Sequence, residues 1–434
     1  MRIERLNIRN FRAIGEVDLK LHPRLNVFIG ENGTGKTTIL DFIALMLARC
    51  RYFGTEFELL SNENIRYGQN EYRGRIQIQH HLNGQVGYLF AHHVYSDSGE
   101  SSSFYENQSG VEGDKTGEEA IKSFYNDLQS DDTNLDCCLP LIAYYPTNRG
   151  ILDIPERLRG YRPAISPLDA YDKALSSTLD FKTFIGRFRE SENDVANLQS
   201  LFVDSMSLWH QRQHKAVQEA ISSIVSGFSE LHVMKRPFKV CVQKNGQTVG
   251  VGQLSDGEKC LLALVGDIAM RLAIANPGLE SPLEGEGVIL IDEIELHLHP
   301  RWQRTILPKL LEVFPNCQFI VSTHSPIVLT DIKEVETVWF VRQNGELKHP
   351  SQIYGLTISE VLQEIMHTQI MPDALICSIH EIENLIENES FDEARHKMIL
   401  LAKETHGSVP LLVGLNALLT MYGEKQVDFS KLDG

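Results

Sequence analysis

The chain has 434 residues, 42% hydrophobic and 23% charged, with a formal net charge of -17. A single core stops growing near ~250–300 residues, so this length calls for a large core with an insertion or appendage. No stretch approaches the ~18 consecutive apolar residues of a spanning helix, which argues against a membrane subunit, and the acidic balance argues against a protein that coats DNA through net charge. Met1 to Arg5 lead straight into alternating residues without the apolar core of a signal peptide, so a cytoplasmic location is expected. The seven cysteines form no C-x-x-C pair and read as reduced thiols.

Ile3, Leu6 and Ile8, then Val17, Leu19 and Leu21, predict two half-buried strands. Leu25 to Ile29 is a compact buried strand that runs into Gly30-Glu31-Asn32-Gly33-Thr34-Gly35-Lys36-Thr37-Thr38 and then a dense apolar helix. Residues 73–90 predict a hairpin turning at Asn83-Gly84. From Ser96 to Ala120 seven acids face only Lys115, a composition that predicts a loop. Leu139 to Tyr145 reads as a strand broken by Pro146-Thr147-Asn148-Arg149-Gly150, and residues 166–230 carry helical spacing. Residues 238–251 predict another hairpin. Beyond it come a long helix from Asp256 to Ala275, a strand at Val288–Ile291, a helix from Pro300 to Phe314 and a strand from Gln318 to Ser322. Val335 to Leu347 returns to β with Asn344-Gly345 as its turn, and residues 357–422 are helical by periodicity.

Gly30-x4-Gly35-Lys36-Thr37 fits the phosphate-binding loop pattern in its required strand-to-helix context. Glycines let backbone N–H groups curl around phosphates, and the helix start adds partial positive charge. ATP is therefore expected at Gly30, Asn32, Gly33, Gly35, Lys36, Thr37 and Thr38, with Lys36 reaching the β- and γ-phosphates. Val288 to Ile291 close on Asp292 and Glu293, as a central parallel strand presenting acids at its end would. Thr37 and Asp292 are expected to hold Mg²⁺, and Glu293 to polarise the attacking water as the catalytic group.

Leu254-Ser255-Asp256-Gly257-Glu258 resembles the signature of ABC-type ATPases, and Ser322-Thr323-His324-Ser325-Pro326 resembles their switch-histidine loop, 31 residues past Glu293. Asn10-Phe11-Arg12 resembles the opening of RecF- and SMC-like members. The resemblance implies an α/β fold: an ABC-type P-loop ATPase head with a mixed sheet flanked by helices, an antiparallel β subdomain, an inserted helical lobe and a helical C-terminal extension. The head would comprise residues 1–150 and 233–350, the insertion 151–232 and the acidic extension 351–434. It also implies that Ser255 and Gly257 of one head close over ATP held by another in a head-to-head dimer, and that His324 senses the γ-phosphate. Neither Gln77 nor Gln79 nor the segment Pro146 to Arg149 is singled out as the family's glutamine loop. Glu295, His297 and His299 allow a metal reading, but the resemblance puts this stretch at the family's dimer-contact loop, which implies that His297 and His299 touch the partner subunit or cap the next helix.

The interval between Thr37 and Ser255 is too short for SMC arms, and no strand ending in Asp-x-Asp follows residue 350, so the nuclease domain of OLD-like relatives is not expected. Residues 351–434 hold 13 acids against five bases, a docking surface for a basic partner or a solvated face. The inserted lobe, Tyr145 to Arg149 and the helical tail resemble the PtuA ATPases of bacterial Septu anti-phage systems. That implies a separate HNH nuclease partner of the PtuB kind, an oligomer of ATPase dimers and nucleotide-controlled cleavage of nucleic acid, while a lone ATPase subunit is expected to hydrolyse slowly. A RecF-like DNA-repair clamp without a nuclease and an assembly scaffold with little hydrolysis remain alternatives. Arg149, Arg157, Arg159 and Arg162, with Lys235, Arg236, Lys239 and Lys244, form two basic segments that could track nucleic-acid phosphates.

Overall fold

The structure, a computed structural model, describes residues 1–49, 62–82, 85–96, 99–107, 115–116, 137–150, 164–176, 181–197, 205–235, 237–342, 346–369, 371–405 and 410–429. They fall into two compact units, Met1–Val361 and Leu362–Gly434. The expected turns at Asn83-Gly84 and Asn344-Gly345 and the basic residues Arg157, Arg159, Arg162 and Arg236 lie outside the described residues.

In the first unit, β1 (Arg2–Phe11) pairs with β2 (Ile14–Lys20). Ile3 is out of phase with Leu6 and Ile8 by simple alternation, yet all three are fully buried. A register shift between Ile3 and Arg5 accounts for this, because a bulge moves the side-chain phase by one. Next come β3 (Leu25–Ile29) and α1 (Lys36–Arg49). The helix is apolar on most sides because it packs between two sheets, against strands of both. One of these sheets is antiparallel and extends through β4 (Glu71–Leu82), β5 (Gln85–Ser96), β6 (Gly99–Asn107) and β7 (Lys115–Thr116) in the order β2-β1-β4-β5-β6-β7. Part of the expected loop from Ser96 to Ala120 is therefore strand. Composition missed it because β6 is held by its backbone ladder to β5, which does not depend on apolar sequence.

The other sheet is mixed and carries the chemistry. It comprises β3, β8 (Leu141–Tyr145), β12 (Gly287–Ile291), β13 (Cys317–Thr323), β14 (Val338–Val341) and β15 (Leu347–Lys348), in the order β15-β14-β3-β13-β12-β8. All neighbours are parallel except β14 with β15. Because β13 lies between β3 and β12, the segments leaving these three strands emerge side by side at one edge. Open parallel sheets bind ligands at that carboxyl edge.

Between β8 and β12 the chain forms α2 (Phe181–Asn197), α3 (Ser205–Ile224), a three-stranded sheet of β9 (Phe228–Lys235), β10 (Phe238–Lys244) and β11 (Gln247–Gly250), and α4 (Asp256–Ala275). Helical spacing thus gives way to strand at Phe228. The helix α4 is buried from Cys260 to Ala275, with α3 packed on it and Trp209 Nε1 donating to the Ala273 carbonyl at 3.0 Å. Helix α5 (Pro300–Val313) precedes β13.

The second unit contains α6 (Asp373–Glu387), α7 (Phe391–Glu404) and α8 (Pro410–Met421). Ile379, Ile382 and Ile386 from the first, Met398 and Leu401 from the second, and Leu412, Leu415 and Leu419 from the third build a core of its own. Asn416 fastens the following chain, its amide donating to the Val427 carbonyl at 2.9 Å and its Oδ1 accepting the Val427 N–H at 2.8 Å.

Gly74 in β4 faces α1 so closely that a Cβ there would stand 1.9 Å from Phe42 Cζ. Phe42 is itself packed edge-on against Phe11, with ring centroids 4.9 Å apart. Gly74→Ala is expected to lower the unfolding free energy by about 1–3 kcal/mol in chemical denaturation, and Phe42→Leu in the same chain to restore part of it. Equal stability of Gly74→Ala and the parent chain would contradict this packing.

Candidate active site

The phosphate-binding loop leaves β3, whose five residues are all buried. Gly33 and Gly35 have φ of +79° and +104°, which L side chains rarely adopt. Lys36 is only 3% exposed, and its Nζ donates to the carbonyls of Gly30 at 2.9 Å and Glu31 at 2.7 Å. Burial brings its pKa down to about 8, against the opposing field of Asp292, Glu295, Glu293 and Glu31. Asn32 is exposed on the loop and Thr38 half-buried in the first turn of α1.

Asp292, 1% exposed, is the knot of the site. Its carboxylate accepts from the Thr37 hydroxyl at 2.9 and 3.1 Å and, closer still, from the Ser322 hydroxyl. Ser322 Oγ in turn accepts the Glu293 N–H at 2.8 Å. The Asp292 N–H donates to the Tyr145 carbonyl at 2.9 Å. Glu293 adopts φ of +48°, uncommon for a non-glycine residue, and its Oε1 lies 3.8 Å from His324 Nε2. Lys36, Thr37, Asp292, Glu293 and His324 are thus brought together. A hydroxyl and a carboxylate facing each other are the hard oxygen donors that Mg²⁺ takes from protein, with water and phosphate filling its other positions.

Ser255 caps α4 in a reciprocal capping box: its hydroxyl accepts the Glu258 N–H at 3.4 Å, and Glu258 accepts the Ser255 N–H at 3.0 Å. Lys244 from β10 ion-pairs with Glu258 at 2.6 Å. Gly257 is required by close approach, since a Cβ there would meet the His297 carbonyl at 2.2 Å. Among the described residues no hydrogen bond ties Ser255 to the phosphate-binding loop of the same chain. His299 caps α5, its Nδ1 accepting the Arg301 N–H at 3.2 Å. Gln77 and Gln79 serve the antiparallel sheet, donating to Glu4 and to the Tyr88 hydroxyl.

Sequence reasoning missed three groups. Ser322 stood in the quoted Ser-Thr-His-Ser-Pro run, where only the histidine drew notice. Tyr144 and Tyr145 are adjacent on β8 and so point to opposite faces. Tyr144 donates to Asp41 of α1 at 2.7 Å, beside Arg12 on the same carboxylate at 2.6 Å. Tyr145 donates to Asp267 of α4 at 2.9 Å. Asp267 also accepts from Arg271 Nε at 2.7 Å, and Arg271 Nη1 donates to the carbonyls of Ala170 and Asp172 at 2.6 and 2.9 Å.

A glycine loop after β3, an acidic tip on β12 two strands over, His324 at the end of the strand between them and a helix capped by Ser255 are the layout of an ABC-type P-loop ATPase head. Residues 98–330, more than half the chain, match the family described as "AAA domain, putative AbiEii toxin, Type IV TA system", and the chain belongs to that family. Residues 1–140 match a second, described as "AAA ATPase domain". The chain is 29% identical over 459 residues to the retron Vc95 probable ATPase of Vibrio cholerae serotype O1 biovar El Tor, covering 94% of this chain and 87% of that one. It is 23% identical over 442 residues to the Septu protein PtuA of Bacillus thuringiensis, covering 97% and 98%. The PtuA-like reading of the sequence is borne out, with retron ATPases as further relatives at higher identity. The fold is that of an SMC head solved with the C-winged helix domain of ScpA, at TM-score 0.50 and 15% identity over 81% of this chain and 98% of that one. No helix among the described residues is long and apolar enough to cross a membrane.

Ser322→Ala removes the donor to Asp292 and leaves the Glu293 N–H without its acceptor. It is expected to cost about 1–3 kcal/mol of unfolding free energy, read by chemical denaturation against Ser351→Ala, a change at an exposed serine; equal effects of the two would count against a special role for Ser322.

Proposed function

We propose that this chain binds ATP with Mg²⁺, hydrolyses it between two heads, and uses that cycle to regulate an associated HNH nuclease of the PtuB kind in anti-phage defence in the cytoplasm. The observation that supports the nucleotide chemistry is the continuous chain of contacts Thr37, Asp292, Ser322, Glu293 and His324 beside Lys36; the nuclease and defence setting follows the likeness to Septu proteins PtuA. Lys36 exchanges the Gly30 and Glu31 carbonyls for phosphate oxygens, and the glycine loop's N–H groups and the start of α1 receive the remaining negative charge. Thr37 and Asp292 would hold Mg²⁺, which when bound neutralises charge on the phosphates. Glu293 takes the water, its backbone fixed by Ser322 so that its carboxylate stands opposite His324. His324 meets the terminal phosphate. Ser255 and the start of α4 complete the site of the other head, so an isolated head hydrolyses poorly.

The working layout is a head of residues 1–150 and 233–350, a mainly helical insertion at 151–232 and an acidic region at 351–434 that docks a basic partner. Relatives named as retron ATPases favour a second setting, in which the same cycle serves a retron system. Nucleic acid remains a candidate ligand through Lys239 and Lys244 and the neighbouring basic positions; Lys244 is already engaged by Glu258.

Glu293→Gln is expected to hold an ATP-bound dimer, seen as a shift in mass by light scattering on adding ATP, with turnover reduced at least about a hundredfold. Lys36→Ala should lose nucleotide binding and the shift together. Wild-type rates in Glu293→Gln would sink the role given to Glu293. Purification of the native complex decides the partner: an HNH nuclease is expected, and reverse transcriptase or DNA alone would favour the other settings.

A further inference from the structure

The loop from Glu293 to His299 is tied on two sides. Toward the switch loop, Glu295 Oε1 accepts the His324 backbone N–H at 2.5 Å. Toward the signature helix, the His297 carbonyl occupies the space that only glycine leaves open at position 257. The loop has little freedom between these anchors. Glu293 and His297 both adopt left-handed backbone, with φ of +48° and +61°, and turns are closed by the Leu296 N–H on the Glu293 carbonyl and the Leu298 N–H on the Glu295 carbonyl, each at 2.8 Å. Glu295 Oε2 is buried and has no hydrogen-bond partner among the described residues. A buried acceptor left without a donor is costly, so a residue that served only to fill this space would be better apolar.

We propose that Glu295 is the positioning residue for His324: by holding the histidine's backbone N–H, its carboxylate sets the imidazole opposite Glu293 and joins the start of the signature helix to the switch loop within one head. The assignment rests on the ATPase reading above, in which His324 meets the terminal phosphate. Without Glu295 the His324 backbone loses its acceptor and the imidazole is no longer fixed relative to Glu293. Nucleotide affinity depends chiefly on Lys36 and the glycine loop, so the loss falls on turnover.

The test is steady-state ATP hydrolysis with Mg²⁺ by the full chain, with nucleotide affinity and thermal unfolding measured alongside, for wild type, Glu295→Ala, Glu295→Gln, His324→Ala and the double alanine variant. Glu295→Ala is expected to lower kcat at least about tenfold while KM changes less than about threefold. The double variant should be no slower than His324→Ala, since groups acting through one another are not additive. Glu295→Gln keeps an oxygen for the His324 N–H and should recover most of the lost kcat. Losses that multiply in the double variant, a Glu295→Ala chain as active as wild type, or a kcat loss that tracks a lowered unfolding temperature in both Glu295 variants overturn the assignment and leave the ATPase reading standing. A wild-type chain that binds ATP without turning it over overturns both.

Discussion

The head depends on where Asp292 puts its negative charge. A carboxylate 1% exposed is tolerable only with donors around it, and here they come from both neighbouring motifs: Thr37 from the start of α1 and Ser322 from the end of β13. The parallel order β3-β13-β12 makes this possible, since it brings three strand ends within the reach of short side chains. Ser322 then passes order on to Glu293, whose N–H it accepts. The same short contacts that hold the edge of the sheet set the geometry of the candidate site, so stability and site geometry share their residues.

The paired tyrosines of β8 extend this frame outward. Because neighbours on a strand face opposite ways, Tyr144 fastens α1 through Asp41 while Tyr145 fastens α4 through Asp267. The Tyr145 carbonyl at the same time holds the Asp292 N–H. Burial pushes the hydroxyl pKa of both upward, so each stays a donor. Arg271, buried beside Asp267, continues the line to the carbonyls of Ala170 and Asp172. A buried ion pair of this kind adds little net stability over apolar packing; here it fixes the direction of α4 relative to the sheet.

Much of this was legible in the sequence, because the elements that carry it obey local rules. The glycine loop, the run Val288 to Glu293 and the capped helix at Ser255 each combine a periodicity with a motif, and the structure puts α4 at Asp256–Ala275, where the spacing predicts it. What stayed hidden depends on long-range register or on backbone. The bulge in β1 needs the pairing with β4 to be seen, β6 is held by main-chain bonds under an acidic composition, and Tyr145 gains its place only when β8 aligns with β12. Glu295 was visible only as part of a Glu-x-His-x-His pattern, and the His324 N–H that it accepts lies 29 residues away.

The contacts of Lys36 bear on the glycine loop itself. An ammonium this deeply buried needs acceptors around it, because an unpartnered charge in that position is expensive. The carbonyls of Gly30 and Glu31 supply them. The loop thus satisfies its own lysine from within, with no acceptor needed from outside it.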